Sequence, residues 1–533
     1  MPDNKPITDN KTENSVNNQD TIFKIEQNFK IIDLPDIKQR VNINVRYPLL
    51  APYAFAHIYW DEKKEELIYS VEEPELNDSE KELLRLIMLA LEEMINVSFA
   101  KLEKTNQIIT YLEKNVQSIL IELGAKISKE SYLKIMYYIF RDSVGLNRIE
   151  PLLNDYFIED IECNGLNFPI YIVHRKYENM RTNIIFTDMQ ELTDFVEKLA
   201  QKCGRYVSYA KPLLDGTLPD GSRVNATYSE EVTTRGPTFT IRKFTKEPWT
   251  PIHLINFGTG NAKVYAYLWL LIEHKMNIMV IGETASGKTT FLNTILSFIP
   301  PDARVVSIED TRELNLAHEN WMPTVTRAGF GISSVDGKEY GEISLFDLLR
   351  ESFRQAPDYV IVGEIRGQEA FVLFQGMASG HSSFGTFHAG SVETLIRRLE
   401  TPPINLSPSL IESLDAVCVM THLKELDKNI RRLKELVEII STSNEIGKIN
   451  KNVPFEWDPV SDKIIQRSGF YAFQKISKKT GLSLNELNRE LELRTILLQI
   501  MANRKIQDFE QVNEIIKEYY LDKEKVLRKF RVI

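Results

Sequence analysis

The run Gly282, Glu283, Thr284, Ala285, Ser286, Gly287, Lys288, Thr289 has the spacing G-x-x-x-x-G-K-T. An apolar run, Asn277 to Ile281, precedes it, and a helix-like segment, Thr290 to Leu296, follows. Strand, glycine loop and helix form the setting in which this pattern cradles a polyphosphate. The glycines let successive backbone N–H groups point inward. The helix that opens there adds the positive end of its dipole. In this reading Lys288 reaches the β- and γ-phosphates and the Thr289 hydroxyl holds Mg²⁺. Thr290 is counted with the loop as a nucleotide contact, and the ligand is ATP.

Three further stretches fall at the ends of candidate strands. In Val305 to Glu313, carboxylates beside the phosphate loop are placed to orient an attacking water. Glu309 is the first choice, with Asp310 and Glu313 as alternatives. In Pro357 to Gly367, four apolar residues lead to Gly363-Glu364. A glycine stands where Asp is common, which leaves Glu364 as the acid. It acts on Mg²⁺ through water or helps to polarise the nucleophile. The third stretch, Gly380 to Ala389, carries His381 and His388 beside glycines. A histidine at that strand end can reach a γ-phosphate and report its presence. Phosphoryl transfer also needs positive charge on the equatorial oxygens. Arg366 follows Glu364, while Arg223 and Arg242 lie upstream in a strand-rich region. If either upstream arginine reaches nucleotide, it does so across a domain or subunit boundary, as an arginine finger.

The elements that must hold these groups are legible in outline. A chain of 533 residues exceeds one hydrophobic core, so two or three domains are expected. Residues 1–20 are polar and read as a disordered tail. Residues 21–150 mix short β-like runs with amphipathic helices, and Ser79 before Glu82 suggests a capping box. Residues 151–245 read as an α/β sensor-like domain, with a hairpin marked by two Asp-Gly pairs. Residues 246–252 read as a linker. Residues 253–533 alternate strands and helices, which implies a mainly parallel α/β sheet with helices on both faces, closed by C-terminal helices. Its strand candidates are Ile278–Ile281, Arg304–Ile308, Tyr359–Val362, Ser383–Phe387 and Ala416–Thr421. The ligand of such a sheet sits at the carboxyl ends of its strands, where the glycine loop lies.

Composition sets limits. The formal net charge of −10 weighs against a protein that coats nucleic acid, and no nucleic-acid partner is expected. Three cysteines without a C-x-x-C pair argue against a cysteine zinc site or a disulfide scaffold. No secretory signal is read at the start of the chain. The longest apolar run, Val264 to Ile272, falls far short of the roughly 20 residues that cross a bilayer. A cytoplasmic protein is expected, reaching a membrane only through partners.

In order and in all four motifs, roughly Leu213 to Thr421 resembles the secretion-superfamily ring ATPases of type II secretion, type IV pili and the archaellum. Gly282–Thr289 corresponds to their Walker A, Glu309–Glu313 to their Asp box, Gly363-Glu364 to their atypical Walker B and Gly380–His388 to their His box. Thr311 to Leu316, His318 to Trp321 and Thr326-Arg327 look like the archaeal branch, closest to the archaellum motor. The tetracysteine zinc element of many bacterial members is absent from this sequence. The resemblance implies a RecA-like domain at 253–533 and a homo-hexamer of two-domain subunits with ATP held between them, closed by Arg223 and Arg242. It implies a polytopic membrane platform protein and accessory cytoplasmic motor proteins as partners, at the inner face of the membrane. It leaves open an archaellum, another pilus or a secretion machine. A RecA-like nucleic-acid translocase is the rival reading.

Overall fold

The structure is a computed structural model. It describes residues 22–26, 34–35, 37–94, 105–244, 247–327, 329, 340–425, 428–442 and 447–532. The tail at 1–20 lies outside them. The chain divides into two units, Met1–Lys243 and Phe244–Ile533.

The first unit is built on a nine-stranded sheet. Its strands are β1 (Asn44–Leu50), β2 (Ala54–Asp61), β3 (Glu66–Glu72), β4 (Ile158–Cys163), β5 (Pro169–His174), β6 (Glu178–Ile185), β7 (Leu213–Thr217), β8 (Arg223–Thr227) and β9 (Thr238–Arg242). Their spatial order is β1-β2-β3-β6-β5-β4-β9-β8-β7. In β2, Ala54, Ala56 and Ile58 are buried and alternate with less buried neighbours, the period of a strand with one covered face. Parallel pairing of β3 with β6 joins the two parts of the sheet. Regions 21–150 and 151–245, expected as separate, therefore share one sheet and one core. Asp155 fastens them. Its Oδ2 accepts the hydroxyls of Tyr47 and Tyr69, each at 2.6 Å, and its Oδ1 accepts the Phe157 N–H at 2.8 Å.

Two local expectations need correction. The capping box that opens helix Asp78–Met94 is Asn77 with Glu80, not Ser79 with Glu82. Asn77 Oδ1 accepts the Glu80 N–H and Glu80 returns the bond to the Asn77 N–H, both at 2.9 Å, while Glu82 pairs with Arg85. Only one Asp-Gly pair makes a turn. Asp220 accepts the Ser222 N–H, and Gly221 takes φ +94° in the β7–β8 connection. Asp215-Gly216 lies inside β7. Gly216 is needed there because a Cβ would stand 2.8 Å from that of Cys203.

The second unit holds another nine-stranded sheet: β10 (Ile278–Gly282), β11 (Val305–Glu309), β12 (Trp321–Val325), β13 (Tyr359–Ile365), β14 (Ser382–His388), β15 (Ala416–Glu425), β16 (Lys428–Thr442), β17 (Ile449–Asp458) and β18 (Lys463–Gln466). The order is β12-β11-β13-β14-β10-β15-β16-β17-β18. The first six are parallel, and β15 to β18 form an antiparallel meander. All five strand candidates are present, and the meander adds strands where none was expected. Every residue of β10 is buried, which is why its sequence shows an unbroken apolar run. Ile278 and Val280 enter one core with helix Ala262–Glu273, whereas Met279 and Ile281 enter another with helices Glu369–Ala378 and Val392–Glu400. Helices thus cover both faces, as expected of an α/β domain.

Of the linker at 246–252, residue 246 lies outside the described residues and Pro251 already opens helix Pro251–Asn256, with Thr250 as its N-cap. The C-terminal region carries helix Leu484–Asn503, and the final helix expected near Phe509–Lys529 is two, divided at Asp522. Among the described residues no helix is long and apolar enough to cross a membrane.

Candidate functional site

In a parallel sheet every strand ends on the same edge, so groups far apart in sequence meet there. Gly282 closes β10 level with His388 of β14 on one side and Met420 of β15 on the other. The loop then turns into helix Lys288–Ile295. Gly287, its N-cap, has φ +84°, a left-handed conformation natural to glycine. A Cβ on Gly282 would fall 2.5 Å from Ser286 Oγ and 2.6 Å from the Met420 carbonyl oxygen, so that position also needs glycine. The Glu283 carbonyl accepts Ser286 Oγ at 2.8 Å and Lys288 Nζ at 2.9 Å. Glu283, Thr284, Ala285 and Thr290 are exposed, Thr289 is half-buried, and Lys288 is buried.

Lys288 also lies 3.4 Å from His388 Nδ1, and His388 Nε2 lies 3.2 Å from Glu364 Oε1. A lysine–histidine–glutamate chain therefore joins the glycine loop to the end of β13. Burial, then the Lys288 charge, pushes the His388 pKa below the ordinary histidine range. A neutral ring with Nδ1 facing the ammonium carries its proton on Nε2, toward Glu364. Burial lowers the Lys288 pKa too, against the opposing pull of Glu364 and Glu313. For Glu364, burial acts upward, but the hydrogen bond and charge of Arg366, with His388 and Lys288, bring the net shift below the usual value. Arg366 Nη2 donates to Glu364 Oε2 at 2.5 Å, and its Nη1 lies 3.8 Å from Asp310 Oδ2.

Glu309, at the end of β11, is 2% exposed. Its Oε1 accepts the backbone N–H groups of Glu313 (2.8 Å) and Leu314 (2.9 Å). Its Oε2 is buried without a partner among the described residues. Burial pushes this carboxyl up to about 7, although the two backbone bonds oppose the shift. Of the three acids left open by the sequence, Glu313 is exposed and lends Glu309 its N–H, and Asp310 faces Arg366. The structure also explains the unusual glycine at 363. A Cβ there would stand 2.9 Å from Glu309 Cγ, so an aspartate and a buried Glu309 compete for one space.

His381 does not join the site. It precedes β14 while His388 ends it, and its ring packs edge-on against Phe353 at 4.9 Å. Arg223 and Arg242 belong to the first unit, where β8 and β9 place them directly opposite each other. Arg223 Nη2 reaches Asp215 at 3.3 Å and Arg242 Nε donates to Asp160 at 3.0 Å. Two like charges at one cross-strand position repel, and the flanking aspartates offset this.

Sequence reasoning missed Arg398, which donates to the His388 carbonyl, and Arg431 of β16, whose Nε donates to the Ala285 carbonyl at 3.0 Å. Arg431 falls in a stretch to which no element was assigned, so no pattern pointed to it. Among the described residues no group of three or more His, Cys, Asp or Glu could hold a metal ion. A cation at this edge would rely on phosphate oxygens, with the Thr289 hydroxyl and, through water, Glu364. Both stand at strand or helix ends on the loop's side of the sheet, and their oxygen chemistry suits Mg²⁺.

Residues 143–488 match the family described as Type II/IV secretion system protein. An uncharacterised protein of Methanocaldococcus jannaschii is 36% identical over 507 residues, covering 91% of this chain and 90% of that protein. Type IV secretion system protein PtlH of Bordetella pertussis is 31% identical over 221 residues, 38% of this chain and 64% of PtlH. Among solved structures, the ATPase DotB of Legionella pneumophila is 17% identical, with 55% of this chain and 79% of DotB covered and a TM-score of 0.40. The family match takes in the arginine pair, the glycine loop and all the strand-end acids, and with the archaeal relative it establishes that the chain belongs to the type II/IV secretion system protein family.

Proposed function

We propose that the chain is an ATPase whose homo-hexamer powers the assembly or rotation of an archaeal type IV pilus-like filament such as the archaellum. The observation that carries the hydrolytic part is the contact chain from Lys288 through His388 to Glu364, which couples the phosphate loop to an acid at one sheet edge. The loop N–H groups and Lys288 hold the polyphosphate. Glu309 receives the proton of the attacking water on Oε2, while its Oε1 stays fixed by two backbone N–H groups. The water oxygen bonds to the γ-phosphorus, the bond to the bridging oxygen breaks, and ADP and phosphate leave. Mg²⁺, when bound, supplies charge neutralisation at the β- and γ-oxygens, with Thr289 and water-bridged Glu364 as its protein partners. Arg223 and Arg242, paired on one sheet, serve as the cationic surface that completes the site in the assembled ring.

The reading of filament work and of a membrane platform partner, with accessory motor proteins, is supported by family membership. A secretion machine for another substrate is the alternative. Lys288→Ala is expected to cut phosphate release at least 100-fold; a pure variant with near-wild-type turnover would overturn the ATPase. Specific activity rising steeply with protein concentration is expected if sites are completed between subunits, and a fully active monomer would contradict it. Stimulation by DNA or RNA would revive the translocase reading. Identification of the membrane protein that co-purifies with the chain distinguishes filament from secretion machine.

A further inference from the structure

The acidic residues of the site all lie on one side of β10. Glu309 ends β11, Glu364 stands one residue before the end of β13, and His388 ends β14; all three strands stand in that direction in the sheet. On the other side come β15 and β16. A polyphosphate laid across the loop with its γ-end among the acids has its α- and β-phosphates toward β15 and β16. Lys288, which reaches the β- and γ-phosphates, is drawn toward the acids through His388 and Glu364, which leaves the α- and β-phosphate side open to a second cation.

Arg431 stands there because of the way β16 pairs. Val419 of β15 is opposite Glu435, but the next residue, Met420, is opposite Leu433. Lys434 is the extra residue of a β-bulge, a device that re-aims the side chains beyond it. Arg431 then falls opposite His422, two residues past the level of Gly282, so it stands about 7 Å beyond the end of β10. Its side chain closes on the loop. A Cβ built on Gly287 would stand 3.2 Å from Arg431 Cδ, so the arginine stem occupies the space that glycine leaves. Nε donates to the carbonyl of Ala285, a residue at φ +60°. A left-handed alanine costs on the order of 1 kcal/mol and persists only where its surroundings hold it. Among the described residues the Arg431 side chain makes this one hydrogen bond and no ion pair, in contrast to neighbouring Arg432, which is bidentate on Asp462.

We infer that Arg431 is a cis-acting phosphate clamp: its Nε fixes the loop at Ala285 and its terminal nitrogens take the α- and β-phosphates of the bound nucleotide. It is a positioning residue for the loop and a binding residue for the diphosphate. The inference rests on the nucleotide-binding reading of the same loop.

Titration of the full-length chain with ADP and with ATP, by calorimetry, tests it. Arg431→Ala is expected to weaken both nucleotides by the same factor, about 10- to 30-fold. The KM for ATP should rise by the same factor as the two dissociation constants, so that the loss is read in binding. Arg431→Lys retains charge but not the fork, and should recover part of the loss for both ligands. Loss confined to ATP, or reduced turnover with unchanged dissociation constants, would overturn the clamp. So would affinities within twofold of wild type. If the wild-type chain binds neither nucleotide, the ATPase reading itself falls and the clamp with it.

Discussion

The two nine-stranded sheets present functional groups in different ways. In the first unit the relevant positions lie on a sheet face. Antiparallel pairing sets Arg223 opposite Arg242, and aspartates on neighbouring strands flank them. In the second unit they lie at a sheet edge, where parallel strands end together and bring Lys288, Glu309, Glu364 and His388 to one line. The face pairs each guanidinium with an aspartate, although Arg223 Nε is buried without a hydrogen-bond partner among the described residues. An edge offers strand ends that leave some groups short of partners, as with Glu309 Oε2 and Arg431. Charges stabilised where they stand suit a surface that meets a ligand late. Underpartnered groups suit the place where a ligand is held and changed.

The largest test of that contrast is Glu309→Gln. It is expected to lower kcat by about 10³ while leaving ATP affinity within a few-fold, measured by steady-state hydrolysis and equilibrium binding. A carboxyl with a pKa near 7 must be deprotonated to act as base, so wild-type kcat should rise about tenfold from pH 6 to pH 8. The residual activity of the variant should lack that rise. Stability runs the other way. The folded state holds the Glu309 proton to a higher pH than the unfolded chain does, so this group's contribution is full below pH 4.5 and is lost as pH rises through 7. Glu309→Gln should therefore be more stable than wild type at pH 8, by up to about 3 kcal/mol in denaturant unfolding.

Arg223→Ala and Arg242→Ala come next, each lowering kcat about 100-fold, below the full range seen for arginine fingers. Because the two guanidinium groups share one cross-strand position, the double variant should be less than tenfold worse than either single one; strict additivity would show that they act apart. Gly363→Ala is the smallest, about tenfold in kcat with little change in ATP affinity. The added methyl must displace Glu309, 2.9 Å away, without touching the loop. A variant indistinguishable from wild type would show that Glu309 tolerates displacement.

Much of the second unit was legible because its signals are local. Five parallel strands announce themselves as short, mainly apolar runs, since strands buried on both faces carry few polar residues. The glycine loop is legible because its backbone shape demands particular residues at particular offsets. The meander was hidden because the first half of β16, Lys428 to Glu435, is dominated by charged residues, and only its second half, Leu436 to Ile440, carries a mainly apolar run. In the first unit, Asp215-Gly216 looked like a turn, yet the glycine answers a close approach by Cys203, a contact between residues 13 positions apart. The histidine pair separates for a plainer reason. Proximity along an extended strand is separation in space, and a seven-residue strand puts His381 and His388 near opposite ends.

The sequence by itself determined that a phosphate loop follows a buried strand, that acids end the neighbouring strands, and which family of chains shares this order. These follow from residue types at fixed spacing along one backbone. Only the tertiary structure decided that Glu309 is the buried acid with an open oxygen, that Gly363 exists to make room for it, and that Arg223 faces Arg242. It alone brought Arg431 onto Ala285 from nearly 150 residues away. Each of these depends on register and on burial, and both are set by strand pairing between segments whose separation the one-dimensional pattern does not encode.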